Sequence, residues 1–129
     1  MDTIGEFLTR VRNAGASKHE KLDMPSSNVR VGIAKILLDN GYIRSFKVVR
    51  DNKQGVMRVY LKYNDKGKPI ITAINRVSRP GRRVYVKSDD IPSIRDGFGI
   101  AILSTNRGVV DGETAKKDKL GGEHLCSVW

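Results

Sequence analysis

Residues 56–63 read Val-Met-Arg-Val-Tyr-Leu-Lys-Tyr, and this alternating stretch decides the fold of the first half of the chain. Because successive side chains of a strand point to opposite faces, the alternation predicts a strand with one buried face. The buried face would carry Met57, Val59, Leu61 and Tyr63. Residues 43–50 form a second strand candidate, and the polar segment 51–55 lies between the two. Together they predict a β-hairpin.

Two helices and a short strand are predicted before this hairpin. Apolar side chains at positions 4, 7, 8, 11 and 14 have the spacing of one helical face, which predicts a helix over residues 1–16. Gly15 can end this helix. Residues 22–25 predict a short edge strand. Ser26 or Ser27 can then cap a second helix that ends near Asn40, with Gly41 in the left-handed position beyond it. The first half is thus an α-β-α-β-β unit, with two helices on a three-stranded sheet.

A polar segment separates this unit from a second half of different character. Residues 64–69 read Asn-Asp-Lys-Gly-Lys-Pro, so we place a boundary there between domains 1–64 and 65–129. The second half is expected to be mainly β, with a helical turn after Ser88 and a short helix near its end, over residues 111–119. Its predicted strands are 70–77, 84–87, 100–105 and 123–129. The predicted fold class is α+β.

Charge is the strongest indication of a partner. The chain has 24 Lys and Arg against 14 Asp and Glu, which gives a formal net charge of +10. Such an excess favours a nucleic acid, because each phosphate contact releases condensed counterions. A basic membrane-surface protein is the alternative, but it needs an amphipathic helix with a broad apolar face and aromatic anchors, and no segment supplies both. No apolar run approaches the ~20 residues of a membrane span. We therefore expect no membrane partner.

The sequence supplies no residue set for a metal site or for catalysis. His124 and Cys126 lie two apart on the last predicted strand and would share a side, but a structural zinc site needs four ligands and a catalytic one about three. The motif Gly97-Phe98-Gly99 resembles a dinucleotide loop, yet Ile102 stands where its third Gly belongs. We expect no enzyme, cofactor or metal. The single Cys and the absence of a leader segment favour the cytoplasm.

Basic residues cluster in one predicted strand-turn-strand of the second half. The cluster consists of Arg76, Arg79, Arg82, Arg83 and Lys87. On its second strand Arg83, Tyr85 and Lys87 share a face, while the intervening valines point to the core. An exposed ring between two cations suits RNA, because the ring can stack while the cations hold phosphates. A solvated strand face explains the triplet equally well, and the net charge favours RNA.

The run Ser104-Thr105-Asn106-Arg107-Gly108 is the second candidate for recognition. It ends a strand that is apolar on both faces, so a buried strand would deliver small polar side chains to an exposed tip. Hydroxyl and amide groups can read base edges and 2′-hydroxyls. From the residues alone, however, a turn that satisfies its own backbone is favoured.

Several segments, taken in order, resemble the ribosomal protein S8 family of the small ribosomal subunit. The similar segments are 2–14 (DTIGEFLTRVRNA), 25–27 (PSS), 33–37 (IAKIL), 41–43 (GYI), 78–85 (SRPGRRVY), 104–110 (STNRGVV) and 120–123 (LGGE). Their order and spacing cover essentially the whole chain. The most specific of them is the Ser-Thr-Asn run, at its spacing before the Gly-Gly-Glu motif.

The resemblance implies a structural protein that binds small-subunit (16S-type) ribosomal RNA in its central domain and assists assembly of the subunit platform. It also implies an RNA surface in the second domain, whose positions here are Ser104, Thr105, Asn106, Gly121, Gly122 and Glu123, with Tyr85 and Lys87 beside them. The expected RNA-binding set is completed by Arg79, Arg82, Arg83 and Arg107. A neighbouring protein of the S5 family is an implied partner. Some bacterial members repress their own operon by binding its messenger RNA.

Four positions depart from the usual family pattern. Asn106 stands where Ser is common, which would alter a direct contact, and Asn28 replaces a usual Lys. Asp111-Gly112 replaces Thr-Asp before the short helix, which predicts a cap shifted by one residue. Ser127 replaces an aromatic residue near the end. Two alternatives to a ribosomal role remain at this point: a regulatory RNA-binding protein acting off the ribosome, and an enzyme for phosphorylated substrates, which lacks a catalytic set.

Overall fold

The computed structural model describes residues 2–129, which form a mixed α+β fold with an N-terminal helix-and-sheet part and a mainly β C-terminal part. The first part contains α1 (Thr3–Ala16), β1 (Lys21–Pro25), α2 (Asn28–Asp39), β2 (Ile43–Val49) and β3 (Val56–Leu61). The second contains β4 (Ile74–Arg76), β5 (Tyr85–Val86), β6 (Ile100–Thr105), β7 (Gly108–Asp111), α3 (Gly112–Lys117) and β8 (Gly122–Val128). Single 3₁₀ turns occupy Ser88–Asp90 and Arg95–Gly97. The predicted fold class is therefore confirmed.

The first sheet is antiparallel and has the order β1-β3-β2, so the alternating strand β3 is its centre and β1 is an edge, as predicted. Met57, Val59 and Leu61 are buried and the residues between them are half-exposed. β3 therefore turns one side to the helices and the other to solvent. Across the hairpin, Asp51 holds the turn by accepting hydrogen bonds from the backbone N–H groups of Lys53 and Gly55.

The ends of α1 and α2 follow from local sequence, with one difference. Ser27 caps α2 by accepting a hydrogen bond from the Arg30 N–H at 3.2 Å, and Gly41 lies at φ +78° beyond the helix, as predicted. Asn28 is the exposed first residue of that helix. The helix α1 ends at Ala16, as the predicted range has it, but Gly15 lies inside the helix and does not end it. Gly15 is buried there against Pro69 of the segment that joins the two parts, so its lack of a side chain serves packing. Met1, where the predicted helix began, lies outside the described residues.

The second sheet has the order β4-β8-β6-β7, and β5 also pairs with β8. Two of the predicted strands are shorter than expected. Within the predicted range 70–77 only β4 is a strand, and within 84–87 only β5 is. The strand β7 was not predicted. It follows the turn at Asn106 and Arg107 directly and pairs with β6 from Gly108 onward. At its end Asp111 caps α3 by accepting a hydrogen bond from the Thr114 N–H at 2.8 Å.

The two parts share one hydrophobic core. Residues of the second sheet, among them Ile74, Ile102 and Val128, belong to the same buried cluster as Phe7 and Ile33 of the helices. α2 also packs directly on β7, where a Cβ at Gly32 would lie 2.8 Å from the Val109 Cβ. A smaller cluster lies beneath α3 and contains Ile91, Ala101, Leu103 and Ala115. The second sheet is thereby fixed against the first part. No helix within residues 2–129 has the length and apolarity that crossing a bilayer requires.

Candidate nucleic-acid interface

The start of β8 is the meeting point of three segments that are distant in sequence. Glu123 pairs with Tyr85 on one side and with Ser104 on the other, and Gly122 pairs with Val86. β8 therefore places the Gly-Gly-Glu motif between the basic strand-turn-strand and the Ser-Thr-Asn turn. Two surfaces that the residues suggested separately lie side by side in the same sheet.

Close backbone approach explains the two glycines of this motif. A Cβ added to Gly122 would lie 2.1 Å from the Ser104 carbonyl oxygen and 3.2 Å from the Thr105 Cα. A Cβ added to Gly121 would lie 2.8 Å from the Val86 carbonyl oxygen. Real side-chain carbons do not approach backbone atoms so closely, so only glycine allows these strands to converge.

The turn between β6 and β7 is held by its own hydroxyl group. Thr105 Oγ1 donates a hydrogen bond to the Gly108 carbonyl oxygen at 2.9 Å and accepts one from the Arg107 N–H at 3.1 Å. Gly108 lies at φ +100°, which a side chain rarely adopts. Asn106 and Arg107 are exposed at the tip, while Ser104 and Thr105 are half-buried. The self-satisfied turn favoured by the residues alone is thus present, and it presents Asn106 and Arg107 to solvent.

The basic turn is anchored to β8 through Glu123. Ser78, which is fully buried, donates a hydrogen bond from Oγ to Glu123 Oε2 at 2.5 Å and accepts one from the Val84 N–H at 3.1 Å. Arg83 Nη1 donates to the same carboxylate oxygen at 2.9 Å. Glu123 therefore fixes the position of the turn, while Arg79 and Arg82 remain exposed on it. Sequence reasoning gave Ser78 no role; its position just before the Arg-Pro-Gly turn was the available signal.

Tyr85 and Lys87 present their side chains to solvent beside this anchor. The Tyr85 side chain is 69% exposed, which is high for a large ring, and Lys87 is also exposed. Val84 and Val86, on either side of Tyr85, are half-buried, so the predicted alternation of this segment is confirmed. The surface thus combines an aromatic ring with cations, around a sheet edge whose backbone is tightly fixed.

The pKa of Glu123 makes its anchoring role testable by pH. Burial raises the pKa of this carboxyl, but the hydrogen bond from Ser78 and the Arg83 charge outweigh burial, so the pKa lies below its ordinary value of 4.5. A group whose pKa is lower in the folded state contributes stability above its unfolded-state pKa, and this contribution is lost as the pH falls through the folded-state pKa.

We expect Glu123→Gln to reduce the acid sensitivity of folding. The free energy of unfolding of the native chain will fall between about pH 5 and pH 3, and this fall will be smaller in the variant because one titrating carboxyl is gone. Denaturant titrations at a series of pH values measure, for each protein, the slope of the unfolding free energy against pH. Asp2 and Asp23 also have lowered pKa values, so only the difference between the two proteins reports on Glu123. Identical slopes would contradict the role of the carboxylate as an anchor.

His124 and Cys126 do not share a side, contrary to the sequence-based expectation. The pairing of β6 with β8 shifts by one residue between Ile102 and Leu103, which is the mark of a β-bulge in β8. The His124 ring then lies 3.1 Å from the Ser127 hydroxyl, while Cys126 joins the shared core. Burial raises the pKa of the Cys126 thiol to about 12, so the sulfur stays protonated. Residues 2–129 contain no group of three or more His, Cys, Asp or Glu side chains placed to hold a metal ion.

Comparison with known proteins agrees with the resemblance seen in the motifs. The sequence model of the family described as ribosomal protein S8 matches residues 2–129. The small ribosomal subunit protein uS8 of Bdellovibrio bacteriovorus is 62% identical over 129 residues, which cover both chains completely. The protein of the same name from Geotalea uraniireducens is 53% identical over 128 residues, 99% of this chain and 97% of its own. The chain therefore belongs to the ribosomal protein S8 family, a family of structural, non-enzymatic proteins of the small ribosomal subunit.

Proposed function

We propose that this chain binds small-subunit ribosomal RNA directly, through a surface that we call the β8 surface. The β8 surface consists of Arg79, Arg82, Arg83, Tyr85, Lys87, Ser104–Arg107 and Gly121–Glu123. The observation that carries the proposal is the convergence at Gly122, where two recognition candidates meet at a backbone approach that only glycine permits. A purely structural sheet edge has no need for exposed Tyr85 and Lys87 at the same place.

Two kinds of contact are available on this surface. Exposed cations, Arg79, Arg82, Lys87 and Arg107, can each hold a phosphate and release counterions. The ring of Tyr85 can stack on a base or a sugar, and the amide of Asn106 can form hydrogen bonds with base edges or 2′-hydroxyls. Thr105 contributes mainly by holding the turn, since its hydroxyl already serves two backbone groups. Phosphate contacts position the RNA, and the polar tip and the ring provide selectivity.

Membership of the family supports a finer proposal for the ribosomal role. We propose that the RNA ligand is the central domain of the small-subunit RNA, and that binding assists assembly of the subunit platform. A neighbouring protein of the S5 family and the messenger RNA of the chain's own operon are proposed as further partners. Ribosomal family membership, supported by bacterial relatives, gives the location as the ribosome in the cytoplasm.

We further propose residues 1–64 and 65–129 as the two domains, with RNA recognition in the second. Each range contributes one sheet, which supports the division. The shared hydrophobic core implies that the two fold together rather than independently.

A regulatory RNA-binding protein acting off the ribosome is the alternative function. It is distinguished by sedimentation of a cell lysate: a ribosomal protein migrates with the small subunits, whereas a free regulator stays near the top of the gradient. Migration mostly as free protein would contradict the ribosomal role.

The test of the β8 surface is a binding titration across salt, with Lys87→Ala as the variant. Purified protein is titrated against central-domain RNA fragments in the presence of scrambled RNA. Native protein is expected to prefer one fragment, and Lys87→Ala to reduce the slope of log affinity against log salt by about 1, because one phosphate contact is lost. Lys53→Ala is the matched control, since Lys53 is an exposed lysine in the β2–β3 turn. Equal slopes for all three proteins would remove Lys87 from the interface.

A further inference from the structure

An apolar pocket lies where α1, the end of β3 and the segment that joins the two parts meet. Its volume is about 370 Å³, which is within the range of small-molecule sites. Val11, Leu61 and Ile74 form buried walls of the pocket, and Ile71 is half-buried beside them. All four side chains belong to the shared hydrophobic core or pack against it. The pocket therefore gives a ligand access to apolar side chains whose positions are fixed by packing.

The charged residues that line this pocket within residues 2–129 are three cations, with no carboxylate among them. These cations are Arg12, Lys62 and Lys68, and all three are exposed. The Arg12 guanidinium already donates a hydrogen bond to the Ile74 carbonyl oxygen. The ion pairs found in the described chain all join Arg side chains to Asp or Glu, so neither lysine takes part in one of them. The charge that the pocket offers to a ligand therefore comes mainly from two ammonium groups.

Neutral hydrogen-bond donors around the pocket are largely used by the protein itself. The backbone N–H groups of Thr72 and Ala73 donate to the Trp129 carbonyl oxygen at 2.7 and 2.9 Å, and the Tyr42 hydroxyl donates to the Phe98 carbonyl oxygen at 3.3 Å. A ligand rich in neutral polar groups would leave many of them unpaired here, which costs free energy. A ligand with an apolar body and one anionic group fits better, because the walls remove the body from water and the ammonium groups attract the anion.

We propose that this pocket binds a small amphipathic carboxylate, a molecule with an aliphatic body and one carboxylate group. A nucleic acid does not suit the site, because its phosphates have no aliphatic body to fill the apolar walls. A second copy of the chain is disfavoured as the occupant, since two molecules that each carry a net charge of +10 repel each other. The site is separate from the proposed RNA surface, because the residues that line it, all within 2–129, include none of the β8 surface.

Octanoate is the probe for this site, with octanol and octylammonium as the neutral and cationic controls of the same chain length. Isotope-labelled native protein is titrated with each compound, and amide chemical shifts and thermal unfolding are measured. Octanoate is expected to shift the amide signals of Val11, Gly15 and Ile71 and to raise the Tm, because it binds the folded state. Octylammonium is expected to bind most weakly, since Lys62 and Lys68 repel it. From hexanoate to octanoate, each added methylene is expected to raise the affinity about fourfold.

Two lysines of one turn provide matched variants. Lys66 and Lys68 are both exposed, and their backbone N–H groups donate to the same Asn64 side-chain oxygen at 2.9 and 3.0 Å, but of the two only Lys68 lines the pocket. Lys68→Gln is expected to weaken octanoate binding about threefold, the size of an exposed ion pair, and to leave octanol binding unchanged. Lys66→Gln is expected to match native protein with both compounds.

A third variant tests the apolar interior of the pocket. Ala16 is the exposed last residue of α1 and lines the pocket, so Ala16→Phe can fill it without replacing a core residue. Octanoate binding is expected to fall about tenfold or more, because the ring takes the volume in which the chain would be buried. Affinity that does not rise with chain length, or equal effects of Lys68→Gln and Lys66→Gln, would overturn the inference. Shifts of the same amide signals on raising the native protein concentration alone would overturn it too, because a second copy would then occupy the pocket.

Discussion

Replacing Gly122 by Ala is expected to destabilise the fold by about 3 kcal/mol or more. The new Cβ would lie 2.1 Å from the Ser104 carbonyl oxygen and 3.0 Å from its carbonyl carbon, and neither backbone atom can rotate away as a side chain can. The strands β6 and β8 must therefore separate, although their contact is the centre of the second sheet. The free energy of unfolding from denaturant titration measures the effect.

Gly81→Ala is the matched control for this substitution. A Cβ at Gly81 meets no atom within 4 Å, and Gly81 is not among the glycines with positive φ. The unfolding free energy of the Gly81→Ala protein is therefore expected to differ from that of native protein by less than about 0.5 kcal/mol. RNA binding by Gly122→Ala is expected to fall with stability, because the same approach of β8 to β6 builds the β8 surface. If Gly122→Ala were as stable as Gly81→Ala, β8 could not lie where the proposed surface requires it.

The regular elements of the first part could be predicted because their signals are local. The alternation of β3, the Ser27 cap and the left-handed Gly41 each depend on a few neighbouring residues, and each was confirmed. The strand β7 was missed because it has only four residues, two of which are Gly108 and Asp111, and because its pairing partner β6 ends at the same turn. A strand of that kind is defined by its partner rather than by its own sequence.

Contacts between distant segments were beyond sequence reasoning from the residues alone. Arg30 illustrates this, because it reads as an ordinary helix residue yet is 4% exposed. Its guanidinium donates to the carbonyl oxygens of Thr3 and Pro25 and pairs with Glu6. This group joins α1, β1 and α2, and nothing in its local spacing distinguishes it from Arg10. The bulge that separates His124 from Cys126 is equally invisible in the strand pattern.

The sequence and the family resemblance nominated the residues of the candidate site, but they did not distinguish the structural roles of these residues. The sequence and its resemblance brought together the Ser-Thr-Asn turn, the Gly-Gly-Glu motif and the basic strand as RNA-binding candidates. The geometry separates three roles. The two glycines permit the strands to approach, Glu123 and Thr105 hold neighbouring backbone, and the exposed side chains are free to contact a ligand. Substitutions of the first two groups will therefore lower stability and binding together. Only substitutions of the exposed side chains are expected to change binding while leaving stability unchanged.

Tyr85 is the member of that exposed group for which the largest loss of binding is expected. Its ring is 69% exposed on β5, between exposed Arg83 and Lys87. Stacking of one base on an aromatic ring contributes roughly 1–3 kcal/mol. We therefore expect Tyr85→Ala to weaken binding to the preferred RNA by that amount, with an unchanged salt slope, because no charge is removed. Since the ring contributes little to the core, the unfolding free energy is expected to stay within about 0.5 kcal/mol of native.

Two further variants decide whether the ring stacks on the RNA. Tyr85→Phe keeps the ring and removes only the hydroxyl, so stacking predicts binding close to native, whereas a hydrogen bond from the hydroxyl predicts a loss as large as in Tyr85→Ala. Phe98→Ala is the control for exposed rings in general, because Phe98 is 88% exposed and lies in the turn before β6, outside the β8 surface. If Tyr85→Ala and Phe98→Ala both bind as native protein does, the exposed ring of Tyr85 is a feature of the strand face, and recognition must reside in the Asn106 turn and the cations.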